Sequence, residues 1–181
     1  KLKKLFYLTS LLLITQVTGC IVFHSVSYEV NVNDDGTGTA LLTIEDINSD
    51  GTTKDAIDED VKNIMEYALT SKEFIDGLEA EGKSKVSRNI FIEKEKLNAT
   101  VSYWFVEISR VEGMQFEDPY YYLTIPVEDS IISTNGQITK TSEYKRIVWD
   151  KSIKTLKFKM YSDDTNRAGL TSLAPYYLKE N

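Results

Sequence analysis

Alternating apolar and polar residues dominate the chain and predict a β-rich domain. From position 22 to position 32 every second residue is apolar or aromatic, His24 excepted, and from Ser25 onward the residues between them are polar. A period of two is typical of a strand with one buried face. Residues 33–36 supply turn chemistry, and Ala40, Leu42 and Ile44 resume the alternation, so residues 22–46 are predicted to form a β-hairpin.

The period lengthens to that of a helix after residue 51. Apolar residues recur at three- and four-residue intervals between Ile57 and Leu69, which predicts an amphipathic helix whose apolar stripe packs on a sheet. Thr70 and Glu73 have the spacing of a capping box. A second, shorter helix is therefore expected to follow and to end near Gly82.

Alternation returns after this helical region and predicts the remaining strands. They are expected at residues 86–93, 100–108, 120–127, 130–141, 144–149 and 155–161. The segment at 130–141 is predicted to turn at Asn135-Gly136. Hairpins with one helical insertion indicate an α+β fold, in which one or two helices at about residues 54–81 pack on one face of a mostly antiparallel sheet. The tail after Asn166 is predicted to be either a last helical turn on the sheet or a loose end.

The first twenty residues carry a different pattern. Lys1, Lys3 and Lys4 precede an apolar run at residues 5–15, and the segment ends in Val17-Thr18-Gly19-Cys20. A basic start, a short apolar run and a small residue before the cut are the parts of a secretory signal peptide. The ending resembles the lipobox of bacterial lipoproteins, which implies cleavage between Gly19 and Cys20 and acylation of Cys20. A transmembrane anchor is the alternative, but about eleven apolar residues are too few to span a bilayer.

The lipobox resemblance divides the chain and implies where it resides. Residues 1–19 would be the lipoprotein signal peptide, and residues 20–181 a single α+β domain held by acyl chains such as palmitate on Cys20. Proteins of this class are exported to the bacterial cell envelope. In a Gram-negative source the outer membrane, facing the periplasm, is expected, because Ile21 is not the aspartate that retains such proteins in the inner membrane.

Charge narrows the range of partners. Without Lys1, Lys3 and Lys4 the chain has 18 basic and 28 acidic residues and a net charge of −10. Nucleic acid calls for a basic surface and is not an expected partner. Anionic lipid would not attract the domain either, so its attachment to the membrane is expected to depend on the acylated Cys20.

Metal-binding chemistry has two weak candidates, and the one at Asn31, Asn33 and Asp35 matches less well than the other. Asp46, Asn48 and Asp50, followed by Gly51, match the first half of a calcium loop. The twelfth position of that loop, which should supply a bidentate carboxylate, is Ile57. Because Asp, Asn and Gly are also the residues that turns select, we expect no metal here.

Catalytic chemistry is equally sparse. His24 is the only histidine, and the sequence has neither a Gly-x-Ser-x-Gly elbow nor a glycine-rich phosphate-binding motif. We therefore expect no nucleotide, no cofactor and no catalytic residue, and a protein that is not an enzyme. A hydrolase based on carboxylates, such as those at residues 58–60 or 163–164, is the less favoured alternative.

Aromatic residues are more numerous than one sheet face would bury. Neighbours in a strand point in opposite directions, so the runs at residues 103–105 and 120–122 should expose some rings, and Trp149, Tyr176 and Tyr177 add to the supply. Exposed tyrosine and tryptophan are typical of contact surfaces. The alternative is that these rings form cross-strand pairs covering a thin sheet.

A resemblance to a family covers most of the chain. A lipobox cysteine leading directly into a strand, an Asp-Gly turn with a second strand at 33–43, and a late Ile147-Val148-Trp149-Asp150 with Leu156-x-Phe158 resemble the LppM-like group of envelope lipoproteins. This implies an α+β domain of unassigned biochemistry. We expect a non-enzymatic, lipid-anchored module that binds or assembles with an envelope protein at the membrane surface. A carrier of a small apolar ligand or lipid between helix and sheet is the alternative.

Overall fold

The computed structural model describes residues 21–161 and 169–180. Strands account for 50% of these residues and helices for 23%, and all the strand pairs are antiparallel. At this coarse level the α+β prediction is confirmed. The expectation of one sheet is wrong, because the strands divide among three sheets.

The elements alternate along the chain with short connections. In chain order the strands are β1 (Ile21–Val22), β2 (Ser25–Val32), β3 (Gly38–Glu45), β4 (Asn48–Ser49), β5 (Lys83–Glu93), β6 (Lys96–Phe105), β7 (Gln115–Glu117), β8 (Tyr120–Pro126), β9 (Ser130–Thr134), β10 (Gln137–Lys140), β11 (Tyr144–Asp150), β12 (Thr155–Tyr161) and β13 (Thr171–Ser172). The helices are α1 (Lys54–Lys62), continued by a π-helical segment (Asn63–Ala68), α2 (Lys72–Ala80), a 3-10 turn (Ile108–Arg110) and α3 (Ala174–Glu180).

The largest sheet has six strands in the order β5-β6-β3-β2-β12-β9. Its centre is the predicted hairpin, in which β2 pairs with β3 along its whole length. Val26, Tyr28 and Val30 point to the interior and are buried, as their alternation predicts. The intervening turn is closed by the N–H of Asn33, which donates to the carbonyl of Thr37 at 2.8 Å.

A second sheet, in the order β10-β11-β8-β7, packs against the inner face of the first. Ile147 and Trp149 of β11 are fully buried there, and the Trp149 ring lies 5.9 Å from the ring of Phe158 in β12. Full burial of a large apolar side chain stabilises a fold by roughly 1.5–3 kcal/mol. The buried side chains between the two sheets, Ile147, Trp149 and Phe158 among them, form what we call the first core, and this core holds the sheets together.

Asn135 and Gly136 do not close a hairpin, so that prediction is wrong. β9 belongs to the six-stranded sheet and β10 to the four-stranded sheet, and the dipeptide carries the chain from one to the other. The side-chain Oδ1 of Asn135 accepts from Trp149 Nε1 and from the N–H of Lys157, both at 2.8 Å. Its Nδ2 donates to the carbonyl of Thr155 at 2.8 Å. The side chain thus bonds to both sheets and fixes the crossing.

The two predicted helices pack against different cores, with Phe74 and Leu78 of α2 against the first. Val61, Ile64 and Met65, from the predicted apolar stripe, are buried against Ile90 and Leu97 and form a second core. Within the described residues, no helix combines the length and apolar character that a membrane crossing requires.

The start of α2 differs by one residue from the predicted capping box. Ser71 is the cap, since its Oγ accepts from the N–H of Glu73 at 3.0 Å. The hydroxyl of Thr70 instead donates back to the carbonyl of Glu66 at 2.6 Å. Thr70 therefore still belongs to the preceding helical segment, and the break between the two helices lies at Ser71.

Both ends of the described chain meet in the third sheet, whose order is β1-β4-β13. Ile21 and Thr171 each pair with Ser49, one on either side. α3 follows, with Ala174 buried and the hydroxyl of Tyr177 donating to the carbonyl of Ile90 at 3.0 Å. Of the two alternatives for the tail, the helix packed on the domain is confirmed.

Candidate functional site

Tyrosines and one arginine line the outer face of the four-stranded sheet. In β8 the residues at 121, 123 and 125 are buried, so Tyr120, Tyr122 and Thr124 point outward. In β11, Ile147 and Trp149 are buried, so Arg146 and Val148 point outward as well. Because Tyr122 lies opposite Val148 and Thr124 opposite Arg146, the outward side chains of the two strands form one surface.

The guanidinium of Arg146 lies between two rings on this surface. Its central carbon is 4.4 Å from the ring centroid of Tyr122 and 5.2 Å from that of Tyr144. Arg146 Nε donates to Thr124 Oγ1 at 3.0 Å, and the Tyr122 hydroxyl donates to Gln115 Oε1 at 2.6 Å. Such cation–π contacts contribute about 0.5–2 kcal/mol each and restrict the side chains. We call Tyr122, Tyr144 and Arg146 the Tyr–Arg ladder.

The ladder retains unused binding capacity. No acceptor among the described residues contacts the two terminal nitrogens of Arg146, so their N–H groups are available in a planar fork that matches a carboxylate. Tyr120, 47% exposed, lies on the same outer face. The arrangement provides preordered aromatic area and a directional donor, which are properties of a contact surface.

The structure divides the aromatic residues predicted to be exposed. Those pointing to the core are Tyr103, Phe105, Tyr121 and Trp149. Trp104 is exposed on the other side of β6, with Lys85 Nζ 4.1 Å from its ring centroid. Tyr176 and Tyr177 pack against the second core. The remaining exposed rings include Tyr120, beside the ladder.

Sequence reasoning missed Arg146 and Tyr144, and a signal for them existed. Once Trp149 is placed inward, the period of two in β11 puts positions 144, 146 and 148 on the opposite face. Pairing of β11 with β8 then brings Arg146 opposite Thr124 and next to Tyr122. The missing information was which face of β11 is buried.

The calcium candidates take part in turn contacts instead. Asp46 follows β3 with φ of 59°, and its carboxylate pairs with Lys96 Nζ at 2.7 Å. Asn48 Nδ2 donates to the carbonyl of Asp46 at 2.7 Å and so presents a donor where a cation requires an oxygen. Asp50 is exposed after β4. Over residues 21–161 and 169–180, no three His, Cys, Asp or Glu side chains are grouped so as to hold a metal ion.

The acidic run at residues 58–60 is split by its helix. Asp58 pairs with Lys54 on the exposed face, whereas Asp60 is buried and accepts from Ser49 Oγ at 2.5 Å. Burial raises the pKa of Asp60, and within the described part of the chain its Oδ1 has no hydrogen-bond partner. These two carboxyls do not converge. Residues 163–164 lie outside the described residues, as do Gly19 and Cys20.

A buried polar cluster, which the sequence did not indicate, lies beside the first core. The carboxyl of Glu112 and the hydroxyl of Tyr28 are hydrogen-bonded, and burial raises the pKa of both groups. Lys83 Nζ pairs with Glu81 at 2.8 Å and lies 5.2 Å from the ring centroid of Tyr103. The Tyr103 hydroxyl is buried without a hydrogen-bond partner in the described residues, and burial raises its pKa. Burial in this cluster therefore favours the neutral forms of these acidic groups.

A shallow depression of about 440 Å³ lies on the outer face of the six-stranded sheet, lined by Ser27, Leu41 and Thr43 among others. Its two lysines are already paired, Lys157 with Glu29 at 2.8 Å and Lys159 with Glu45 at 2.6 Å. The lining therefore offers less unsatisfied bonding capacity than the ladder.

Comparison with known proteins adds no precedent for either surface. No model of a known protein family matches the chain, and no curated protein shows significant sequence similarity to it. The Tyr–Arg ladder and the pattern of the first twenty residues are the two features of the chain that bear on its function.

Proposed function

We propose that the protein is a lipid-anchored, non-enzymatic envelope module that binds a partner protein through the outer face of its four-stranded sheet. The observation that carries the proposal is the Tyr–Arg ladder. Tyrosine and arginine are enriched among the residues that dominate binding energy at protein interfaces. Stacking and hydrogen bonds hold these side chains in place before binding, which lowers the entropy lost on association.

The ladder also indicates what the partner presents. The outward fork of Arg146 fits a carboxylate, which it would hold through two parallel hydrogen bonds. The flanking rings of Tyr122 and Tyr144 would pack against apolar or planar groups around that carboxylate. We therefore expect an acidic side chain, surrounded by apolar residues, at the centre of the partner surface.

The anchor is proposed from the lipobox resemblance at Gly19-Cys20. Metabolic labelling with an alkyne fatty acid should tag the protein, and Cys20→Ser should abolish the tag and release the domain or leave an unprocessed precursor. Equal labelling of the serine variant would show that the acyl group is attached elsewhere or not at all.

The partner surface is tested by photo-crosslinking in living cells. A photoreactive amino acid at Gln137 replaces an exposed residue of β10, opposite Val148 of β11. A matched probe at Leu41, exposed on the outer face of the six-stranded sheet, serves as the control. We expect one discrete adduct from position 137 and none of that mass from position 41.

Charge reversal identifies the contact. Arg146→Glu should abolish the adduct at position 137, because it removes the donor fork and repels a carboxylate. Arg110→Glu, a reversal at another exposed arginine, should leave the adduct unchanged. An adduct that persists in Arg146→Glu, or that disappears equally in both variants, would mean that the ladder is not the binding surface.

A further inference from the structure

The described chain begins inside folded structure. Ile21 pairs with Ser49 in the third sheet and packs against the second core beside Tyr176 and Tyr177. Cys20 directly precedes Ile21 in the sequence, so an acyl group on Cys20 would hold this corner of the domain near the bilayer.

The C-terminal helix lies at the same corner. Thr171 pairs with the opposite side of Ser49, so two strand spacings, about 10 Å, separate it from Ile21. α3 begins three residues further on, at Ala174. Whatever α3 exposes is consequently close to the point of attachment.

The exposed side chains described on α3 are apolar. Leu178 is 68% exposed, and Pro175, three residues earlier and so on the same side of the helix, is also exposed. Tyr176 is half-buried beside them and lies near the charge of Lys54, whose side chain is 82% exposed. An apolar side chain flanked by tyrosine and lysine has the composition that sits at membrane–water interfaces.

We infer that the face formed by Pro175, Tyr176 and Leu178 contacts the bilayer interface and gives the domain a second attachment beside Cys20. The inference rests on the proposed acylation of Cys20. Two attachments fix one orientation, whereas a single acylated residue would leave the domain free to tilt. The contact is apolar, because the net charge of −10 that remains without Lys1, Lys3 and Lys4 offers no attraction to anionic headgroups.

A fluorescent probe on α3 tests this contact. The acylated full chain carrying Leu178→Cys has one free thiol, which is labelled with an environment-sensitive fluorophore after reconstitution into phosphatidylcholine vesicles. Val106→Cys is the matched control, since Val106 is 69% exposed. It lies beyond the far end of β6, about 23 Å along the strand from Ala99, the partner of Ile90.

The probe at position 178 should show a blue shift of its emission, and its intensity should fall when the vesicle lipids carry brominated acyl chains. The probe at position 106 should show neither change. Replacing part of the phosphatidylcholine with phosphatidylglycerol should not strengthen the quenching, because the contact does not depend on charge.

The two proposals fail in different ways. If the chain floats with the vesicles but the probes at 178 and 106 behave alike, the anchor stands and the α3 contact is wrong. If the chain does not float with the vesicles, the acylation is wrong and the inference falls with it.

Discussion

Glu112 is a half-buried carboxyl that faces Tyr28, Tyr103, Lys83 and Glu81. Burial raises its pKa, so the folded protein holds this proton more tightly than the unfolded chain does. The stability that the protonated group contributes is complete below its ordinary pKa near 4.5 and is lost as the pH rises through the raised value. Between those two pH values the free energy of unfolding should therefore fall.

Glu112→Gln should remove this part of the pH dependence. Glutamine has a similar size and retains hydrogen-bonding capacity toward Tyr28, but it does not ionise. Urea unfolding between pH 4 and pH 8 should give a flatter stability profile for the variant than for the wild type, with the variant at least as stable at the upper end. Glu117→Gln, at an exposed site on β7, should keep the wild-type slope. An unchanged slope in Glu112→Gln would mean that another group controls this pH range.

At the scale of single elements, the helix formed by α1 and the π-helical segment depends on one buried stripe. Ile64 is 4% exposed and packs in the second core. Ile64→Asp would lose this packing, which typically costs about 2–5 kcal/mol, and would add an unpaired buried charge. Because a domain of this size is stable by roughly 5–15 kcal/mol, the variant should melt far below the wild type or unfold.

Lys62→Asp is the matched control for that prediction. The Lys62 side chain is 67% exposed, two residues from Ile64 on the other side of the helix. Its replacement should change stability by about 0.5 kcal/mol or less. Similar melting midpoints for the two variants, measured on the same preparation of the chain, would show that the stripe is not the face that stabilises the helix.

Sequence periodicity correctly predicted the elements in which the spacing of apolar residues alone shows which face is buried. The β2–β3 hairpin and the stripe of α1 each have one buried face, and the spacing of their apolar residues reports it directly. The path from β9 to β10 was mispredicted, because an Asn-Gly pair is a strong hairpin signal and here joins two different sheets. Its actual role is set by Trp149, which lies distant in sequence and bonds to Asn135. Arg146 and Tyr144 of the ladder were missed for a related reason, because the buried face of β11 is set by contacts with residues distant in sequence.

At the scale of the whole molecule, the crossover at Gly136 controls how closely the two large sheets approach. A Cβ at this position would lie 2.7 Å from Ile147 Cγ2 and 2.7 Å from Trp149 Nε1. Both are fully buried, so the added atom has no free space. Gly136→Ala should destabilise the protein by about 1–3 kcal/mol, as overpacking of a core does.

Gly77→Ala is the matched control for the crossover. Gly77 lies within α2, and a Cβ there meets no atom within 4 Å. Alanine should stabilise the helix by about 0.4–1 kcal/mol, since it reduces the freedom of the unfolded chain. Thermal unfolding should thus shift in opposite directions for the two glycine substitutions. A rise in the melting temperature for both would mean that the sheets separate easily at Gly136.

The small third sheet also determines how the protein would respond to mechanical load. β1 is joined to β4 by only two residue pairs, whereas β2 pairs with β3 along eight residues. If the proposed anchor and partner pull in opposite directions and the α3 contact is released, β1 would peel away first. Peeling would stop at His24, whose N–H bonds to the carbonyl of Glu45 at 2.9 Å. The three freed residues would extend the link between membrane and domain by about 10 Å, and only the contacts that Ile21 and Phe23 make with the cores would be lost.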